Sequence, residues 1–118
     1  MLDDRDREFV EALQGLNVSK SAAALITYLA NVKEATSREI EIGTGLRQPE
    51  VSVGVRTLHE NKWVTEYEVR SERKGRPMKV YSLRTSLDEI LRHYEEKKSH
   101  ASTSAREAIQ RLKVMAAN

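Results

Sequence analysis

The chain has 118 residues, a formal net charge of +2 and 39% hydrophobic residues, which predicts one small domain with a single core rather than two. It contains no cysteine, which excludes a disulfide scaffold, a zinc finger with cysteine ligands and a thiol nucleophile. No apolar run approaches the roughly 20 residues that span a bilayer, and residues 1–6 are too acidic for a signal peptide, so we expect a cytoplasmic protein that binds no membrane.

The first half of the chain predicts three helices, at residues 3–14, 20–32 and 37–43. The second is apolar on nearly all sides, which is typical of the central helix of a small bundle. Thr36 and Glu39 have the spacing of a capping box, which indicates where the third helix begins. Gly45 follows that helix and suits a tight turn with a left-handed backbone.

A fourth helix is predicted at residues 48–60, with Pro49 in its first turn, where no intrahelical N–H partner is needed. Asn61 is expected to end it, because asparagine tolerates the left-handed conformation. Gly54 weakens a helix by about 1 kcal/mol relative to alanine, so it indicates a close backbone approach, either to DNA or to a neighbouring helix. Helical spacing predicts that this helix meets the core through Val51, Val55 and Leu58.

Residues 63–71 and 78–84 alternate in character and are rich in aromatic and β-branched side chains, which predicts two strands. Residues 74–77 form the turn between them, so the pair is a β-hairpin, and Trp63 is expected in the core beneath it. Residues 46–85 are the basic part of the chain, with nine Lys or Arg against five Asp or Glu. Such a cluster suits phosphate binding, although a solvated hairpin tip is also often basic.

Residues 86–116 predict helix again, with Ser86 as its cap. Residues 99–104 are poor helix formers, so one long helix and two helices with a break both fit the sequence. The absence of glycine and proline after Pro77 favours one helix. Apolar residues recur along it in steps of four and three, as a heptad-like seam that is weak in the middle. The strong ends of this seam are Leu87, Leu91, Tyr94, Leu112 and Met115.

This order of elements predicts an α+β fold, mostly α: a winged helix-turn-helix with a C-terminal dimerisation helix. Residues 1–85 form the predicted winged helix-turn-helix DNA-binding domain, and residues 86–118 the predicted helical dimerisation segment. The long apolar stripe has little monomer surface to cover it, which favours pairing with a second copy. Packing of the helix on its own domain would bury the same side chains and is the alternative.

Four segments carry a family resemblance: residues 35–40 (ATSREI), 44–52 (TGLRQPEVS), 58–64 (LHENKWV) and 75–83 (GRPMKVYSL). Their order and spacing resemble the winged-helix transcription regulators of the TrmB, MarR and ArsR type, and the last segment is similar to the wing of archaeal TrmB-like regulators. The resemblance covers residues 16–84. It implies double-stranded DNA as partner and a role in transcription regulation. We expect no sugar sensing, because only a helix is predicted after the hairpin.

The predicted DNA site combines the fourth helix, the wing and the start of the third helix. A recognition helix presents its N-terminal residues to base edges in the major groove, where glutamine pairs with adenine and arginine with guanine. The basic wing is expected on the DNA backbone or in the minor groove, and the start of the third helix is expected to hold a phosphate. The candidates are Gln48, Pro49, Ser52, Val53 and Arg56 in the fourth helix with Arg47 just before it, Arg73, Lys74 and Arg76 in the wing, and Thr36, Ser37 and Arg38 at the start of the third helix.

The sequence predicts no enzyme, no metal site and no cofactor, since its three histidines lack an evident Ser or Asp partner and no phosphate-binding glycine loop is present. The predicted function is sequence-specific binding of double-stranded DNA by a homodimeric transcriptional regulator. Two alternatives stay open: a winged-helix protein-interaction module, and a non-specific, chromatin-like DNA-binding protein. No residue cluster indicates an effector pocket.

Overall fold

The structure, a computed structural model, describes residues 2–70 and 77–117. Within these residues the chain forms five helices and a three-stranded antiparallel sheet, so the predicted fold class is confirmed. The elements in chain order are α1 (Asp4–Gly15), α2 (Lys20–Asn31), β1 (Ala35–Thr36), α3 (Ser37–Thr44), α4 (Gln48–Glu60), β2 (Val64–Arg70), β3 (Pro77–Leu83) and α5 (Leu87–Ala117).

Side-chain caps fix where the first three helices begin. Asp3 caps α1, and Ser19 Oγ caps α2 by accepting from the Ala22 N–H at 3.3 Å. The predicted capping box of α3 is present, because the Glu39 N–H donates to Thr36 Oγ1 at 3.2 Å and the Thr36 N–H donates to Glu39 Oε1 at 3.0 Å. These hydrogen bonds are local in sequence, which is why the helix starts were predictable.

The sheet has the strand order β1–β3–β2. β2 and β3 pair as the two strands of the predicted hairpin, in a register that places Glu66 opposite Tyr81 and Glu68 opposite Lys79. Of the predicted turn at residues 74–77, only Pro77 lies within the described residues. The sequence did not predict β1, which is two residues long and pairs Ala35 with Tyr81. A segment this short shows no alternation, so its strand character comes from the distant partner rather than from its own residues.

The helices α1–α4, the sheet and the start of α5 share one core and are called the body below. α2 is its central helix, as predicted, and Leu25 and Ile26 of α2 are fully buried. α4 approaches α2 closely at Gly54, where a Cβ atom would lie 2.3 Å from Leu25 Cδ1. The close approach of α2 therefore explains why residue 54 is a glycine, which was one of the two explanations that the sequence left open. The three residues of α4 expected to face the core are buried, which confirms the assignment of Val51, Val55 and Leu58.

The turn after α4 differs from the expectation. Asn61 ends the helix but keeps a right-handed backbone, with φ −92°, and its side-chain amide donates to the Thr57 carbonyl at 2.9 Å. Lys62 takes the left-handed conformation instead, with φ +62°. The expected left-handed Asn61 is therefore wrong, because its side chain satisfies a carbonyl of the last helical turn.

α5 is one unbroken helix, which confirms the favoured prediction. Its first two turns belong to the body, since Ile90 is fully buried and Tyr94 is 6% exposed. Trp63 is buried as expected, and the rings of His93 and Tyr94 pack edge-on against it at centroid distances of 5.1 and 5.5 Å. The described residues after Tyr94 are all exposed, and no helix in the described part of the chain is long and apolar enough to cross a membrane.

Candidate DNA-binding surface

The turn between α3 and α4 determines how α4 is presented. Gly45 takes the predicted left-handed conformation, with φ +78°, and its N–H donates to the Glu41 carbonyl at 2.9 Å. Leu46 is buried directly after it, and the Arg47 N–H donates to Glu50 Oε1 at 3.2 Å. These contacts hold the first turn of α4 in place at the surface of the body.

The candidates of α4 share one exposed surface. Val51 and Val55 bury the opposite face of the helix, which leaves its polar positions in solvent. Val53 is an apolar exception at 50% exposure. The structure thus brings together all six candidates of this group as exposed residues: Arg47, Gln48, Pro49, Ser52, Val53 and Arg56.

The start of α3 is less open than expected. Thr36 and Ser37 are half-buried, and Arg38 is exposed. The hydroxyl and the N–H of Thr36 both bond to Glu39, whose carboxylate lies at the positive end of the helix. A phosphate there meets this negative charge, so Arg38 is the member of the group best placed to bind one.

A groove of about 290 Å³ lies between α4 and the hairpin. Gln48, Ser52 and Arg56 line its α4 side, and Lys79 of β3 and Glu66 of β2 line its hairpin side. The groove therefore joins the described parts of the predicted site, helix and wing, into one continuous surface.

Glu66 is an acidic side chain among the cations of this groove. Its Oε1 is 2.6 Å from His59 Nε2, and its Oε2 is 3.5 Å from Lys79 Nζ. Sequence reasoning missed this cluster, because it depends on strand register and on how the hairpin folds over α4. Within residues 2–70 and 77–117, no three His, Asp or Glu side chains group closely enough to hold a metal ion. The polar side chains of the groove can therefore form hydrogen bonds and ion pairs with a ligand.

Part of the predicted wing lies outside the described residues, namely Arg73, Lys74 and Arg76. The described hairpin supplies two exposed cations, Arg70 and Lys79. The Tyr67 hydroxyl donates to Glu34 Oε2 at 2.8 Å, and this hydrogen bond raises the pKa of Tyr67. The bond ties β2 to the segment before β1.

The structure divides the predicted dimer seam into two parts. Leu87 and Leu91 are half-buried and Tyr94 is buried, all against the core of their own chain, and burial raises the pKa of Tyr94. Leu112 and Met115 are 64% and 70% exposed. Packing on the same domain, the alternative that the sequence left open, therefore describes the first part, while the second part is exposed.

Neither a protein-family model nor a curated protein matches the sequence. Among solved structures, a possible transcriptional regulator from Methanosarcina mazei Go1 is similar over 83% of this chain and 79% of that chain, with 20% identity and a TM-score of 0.56. NadR in complex with 4-hydroxyphenylacetate is similar over 92% of this chain and 75% of that chain, with 13% identity and a TM-score of 0.56. At these identities the likeness shows a shared fold.

Proposed function

We propose that the chain is a sequence-specific, double-stranded DNA-binding transcriptional regulator that acts as a homodimer. The observation that carries this proposal is the exposed polar face of α4, where Gln48, Ser52 and Arg56 line one groove with the hairpin. A helix placed in the major groove reads base edges with side chains of this kind. The fold shared with a possible transcriptional regulator supports the same function.

The side chains of α4 suit distinct contacts with bases. Gln48 has the geometry for a two-pronged contact with adenine, and Arg47 or Arg56 for one with guanine. The exposed Val53 suits a thymine methyl group, and Ser52 suits a phosphate or a base. These residues would set the sequence preference.

The remaining cations suit the DNA backbone. Arg38 lies at the start of α3, and Arg70 and Lys79 lie on the hairpin, all exposed. The wing candidates Arg73, Lys74 and Arg76 extend the same basic segment of the sequence. Phosphate contacts release counterions, so binding is expected to weaken steeply with salt.

The test is fluorescence anisotropy with a duplex from the protein's own promoter and a scrambled duplex of equal length, at two salt concentrations. We expect Arg56→Ala to lower promoter affinity by about 5- to 150-fold, which corresponds to the loss of one two-pronged base contact. Its effect on the scrambled duplex should be much smaller. Arg106→Ala, which removes an exposed arginine just past the middle of α5, is the matched control and should leave both affinities unchanged.

Two results would contradict the proposal and support an alternative. Equal binding of both duplexes, unchanged in preference by Arg56→Ala, would indicate a non-specific, chromatin-like protein. No binding to either duplex at low salt would indicate a protein-interaction module.

A further inference from the structure

The end of α5 carries an apolar surface that the described part of the chain leaves uncovered. Ile109, Leu112 and Met115 are 54%, 64% and 70% exposed. They recur every three residues, so they lie toward one side of the helix. In proteins a helix gains most of its stability by packing an apolar face rather than from intrinsic propensity. We therefore expect another protein surface to cover this end of α5.

A groove of about 340 Å³ lies between the turn after α1 and the middle of α5. Lys98 Nζ donates to the Gly15 carbonyl at 3.2 Å, which directs its charge toward α1 and leaves its alkyl stem along the groove. The alanines of α5 in this groove present only methyl groups, so another helix can approach closely. The lining residues are Leu16 and Asn17 from the turn, and Tyr94, Lys97, Lys98, Ala101, Ser102 and Ala105 from α5.

We propose that two copies of the chain pair through α5 in antiparallel orientation, with the apolar end of each helix seated in this groove of the other copy. The inference rests on the homodimer of the proposed function and adds its orientation and register. In this pair, one two-fold symmetric interface buries both the exposed apolar end of each α5 and the open groove of each chain.

Heptad spacing limits the register to a set that differs in steps of seven residues, and seating the helix end on the groove residues Lys98 and Ala101 selects one of them. The seam continues through residues 98, 101, 105, 108, 112 and 115, which alternate between the a and d positions of a heptad. In an antiparallel pair, an a residue of one helix faces a d residue of the other. Leu112 then lies level with the partner's Ala101, and Met115 with the partner's Lys98. Large side chains of the helix end therefore meet small or flexible residues of the groove, which is how well-packed layers interlock.

The middle of the seam fits the same register. Ala105 faces the partner's Ala108, so the two helices approach closely where they cross. Ile109 lies beside the partner's Ser102, which also lines the groove. Ile109, Leu112 and Met115 thus all reach groove residues, whereas the equally exposed Val114 lies off the seam.

Parallel pairing leaves these features unsatisfied. It would place each Lys98 beside the partner's Lys98 and each Leu112 on the partner's Leu112, with both grooves left open. Tyr94 would also have to face the partner, although it is buried in its own body.

Disulfide crosslinking tests the register directly, because the chain contains no cysteine of its own. Ala101→Cys and Leu112→Cys variants are purified, mixed, equilibrated and oxidised. The proposed register brings the two positions level, within the range of about 4.4–6.8 Å between Cα atoms that a disulfide needs. The mixture should form covalent dimers. Each variant alone should not, since its two copies of the cysteine lie about 16 Å apart along the axis at 1.5 Å per residue.

Efficient crosslinking of either variant with itself would show parallel pairing and overturn the proposal. A mixture without covalent dimers would also overturn it, and sedimentation of the wild type would then show whether the chain pairs through another surface or stays monomeric. Anisotropy on the same wild-type sample separates this failure from failure of the proposed function. A monomer that binds promoter DNA contradicts the pairing and the homodimer but leaves the DNA-binding function standing, whereas a crosslinked dimer that binds no duplex contradicts the DNA-binding function alone.

Discussion

Gly54 lies where α4 approaches α2, and a Cβ atom there would lie 2.3 Å from Leu25 Cδ1 and 3.0 Å from the Ser21 carbonyl oxygen. Leu25 is fully buried, so it has little room to move aside. We expect Gly54→Ala to lower the free energy of unfolding by about 1–3 kcal/mol through overpacking. The better helix propensity of alanine, worth about 1 kcal/mol, offsets only part of this loss. Urea denaturation followed by circular dichroism measures the change.

Gly15→Ala is the matched control for this substitution. Among the described residues, no atom beyond its chain neighbours and the backbone of its own helix lies within 4 Å of a Cβ at Gly15, so we expect a change within about 0.5 kcal/mol. A Gly54→Ala protein as stable as the wild type would show that the approach of α4 to α2 is looser than the structure has it.

Glu66 is the residue that most sharply distinguishes the groove from a plain cationic surface. Its carboxylate contacts His59 and Lys79, and it would repel phosphates that approach them. We expect Glu66→Gln to raise affinity for the scrambled duplex about fivefold at low salt, from the loss of one charge repulsion of about 1 kcal/mol. Affinity for the promoter should rise less, so the ratio of promoter affinity to scrambled-duplex affinity should fall. Fluorescence anisotropy with both duplexes measures this ratio.

Glu95→Gln removes the same charge from an exposed position on α5 and serves as the control. An equal rise in both variants would mean that net charge alone matters and that Glu66 has no special place in the site. The stability of Glu66→Gln should change little, because exposed ion pairs contribute at most about 1 kcal/mol.

At the scale of elements, the sequence predicted what is encoded locally. The caps Ser19 and Thr36 and the turn residue Gly45 act within a few positions, so the helices they bound were placed to within a residue or two. β1 was missed because its two residues become a strand only through β3. Glu66 was missed for a similar reason, since its neighbours come from α4 and β3.

The two halves of α5 behave differently for the same kind of reason. A heptad pattern indicates a packed face but does not name the surface that covers it. Ile90 and Tyr94 therefore pack on their own body, although the seam that contains Tyr94 predicted a partner helix. Only tertiary structure separates the covered part of the seam from the exposed part.

The exposed half of α5 gives a prediction that compares two neighbouring positions. Leu112 lies on the seam, whereas Val114 is turned away from it by two helical steps, and the two are 64% and 54% exposed. We expect Leu112→Asp to weaken dimerisation about thirtyfold or more, because pairing would bury a charge at a cost of at least about 2 kcal/mol. Val114→Asp should leave the dimer intact. Sedimentation velocity across a concentration series measures both.

Similar dissociation constants for the two variants would contradict a directional seam. Circular dichroism of dilute Leu112→Asp should also show less helix than the wild type, since an unpaired end of α5 loses the contacts that stabilise it. The body should keep its cooperative unfolding transition, because residue 112 lies outside the core.

At the scale of the whole molecule, the 31-residue helix α5 makes the structure elongated, with a longest dimension of 74 Å. In the proposed register, Tyr94 and the partner's Tyr94 lie about 37 Å apart along the helix pair, at 1.5 Å per residue. One turn of B-DNA measures about 34–36 Å. The helix that joins two bodies would therefore also act as a spacer on the scale of adjacent half-sites on one face of the duplex.

The proposed pairing of α5 would also change how DNA binding depends on the concentration of the chain. If only a second copy covers that surface, the DNA-binding species is assembled from two chains, and in the dilute range doubling the chain concentration raises the amount of dimer about fourfold. Occupancy of a target would then rise over a narrow range of expression levels. A modest change in synthesis or degradation would act as a threshold, with no small-molecule signal required.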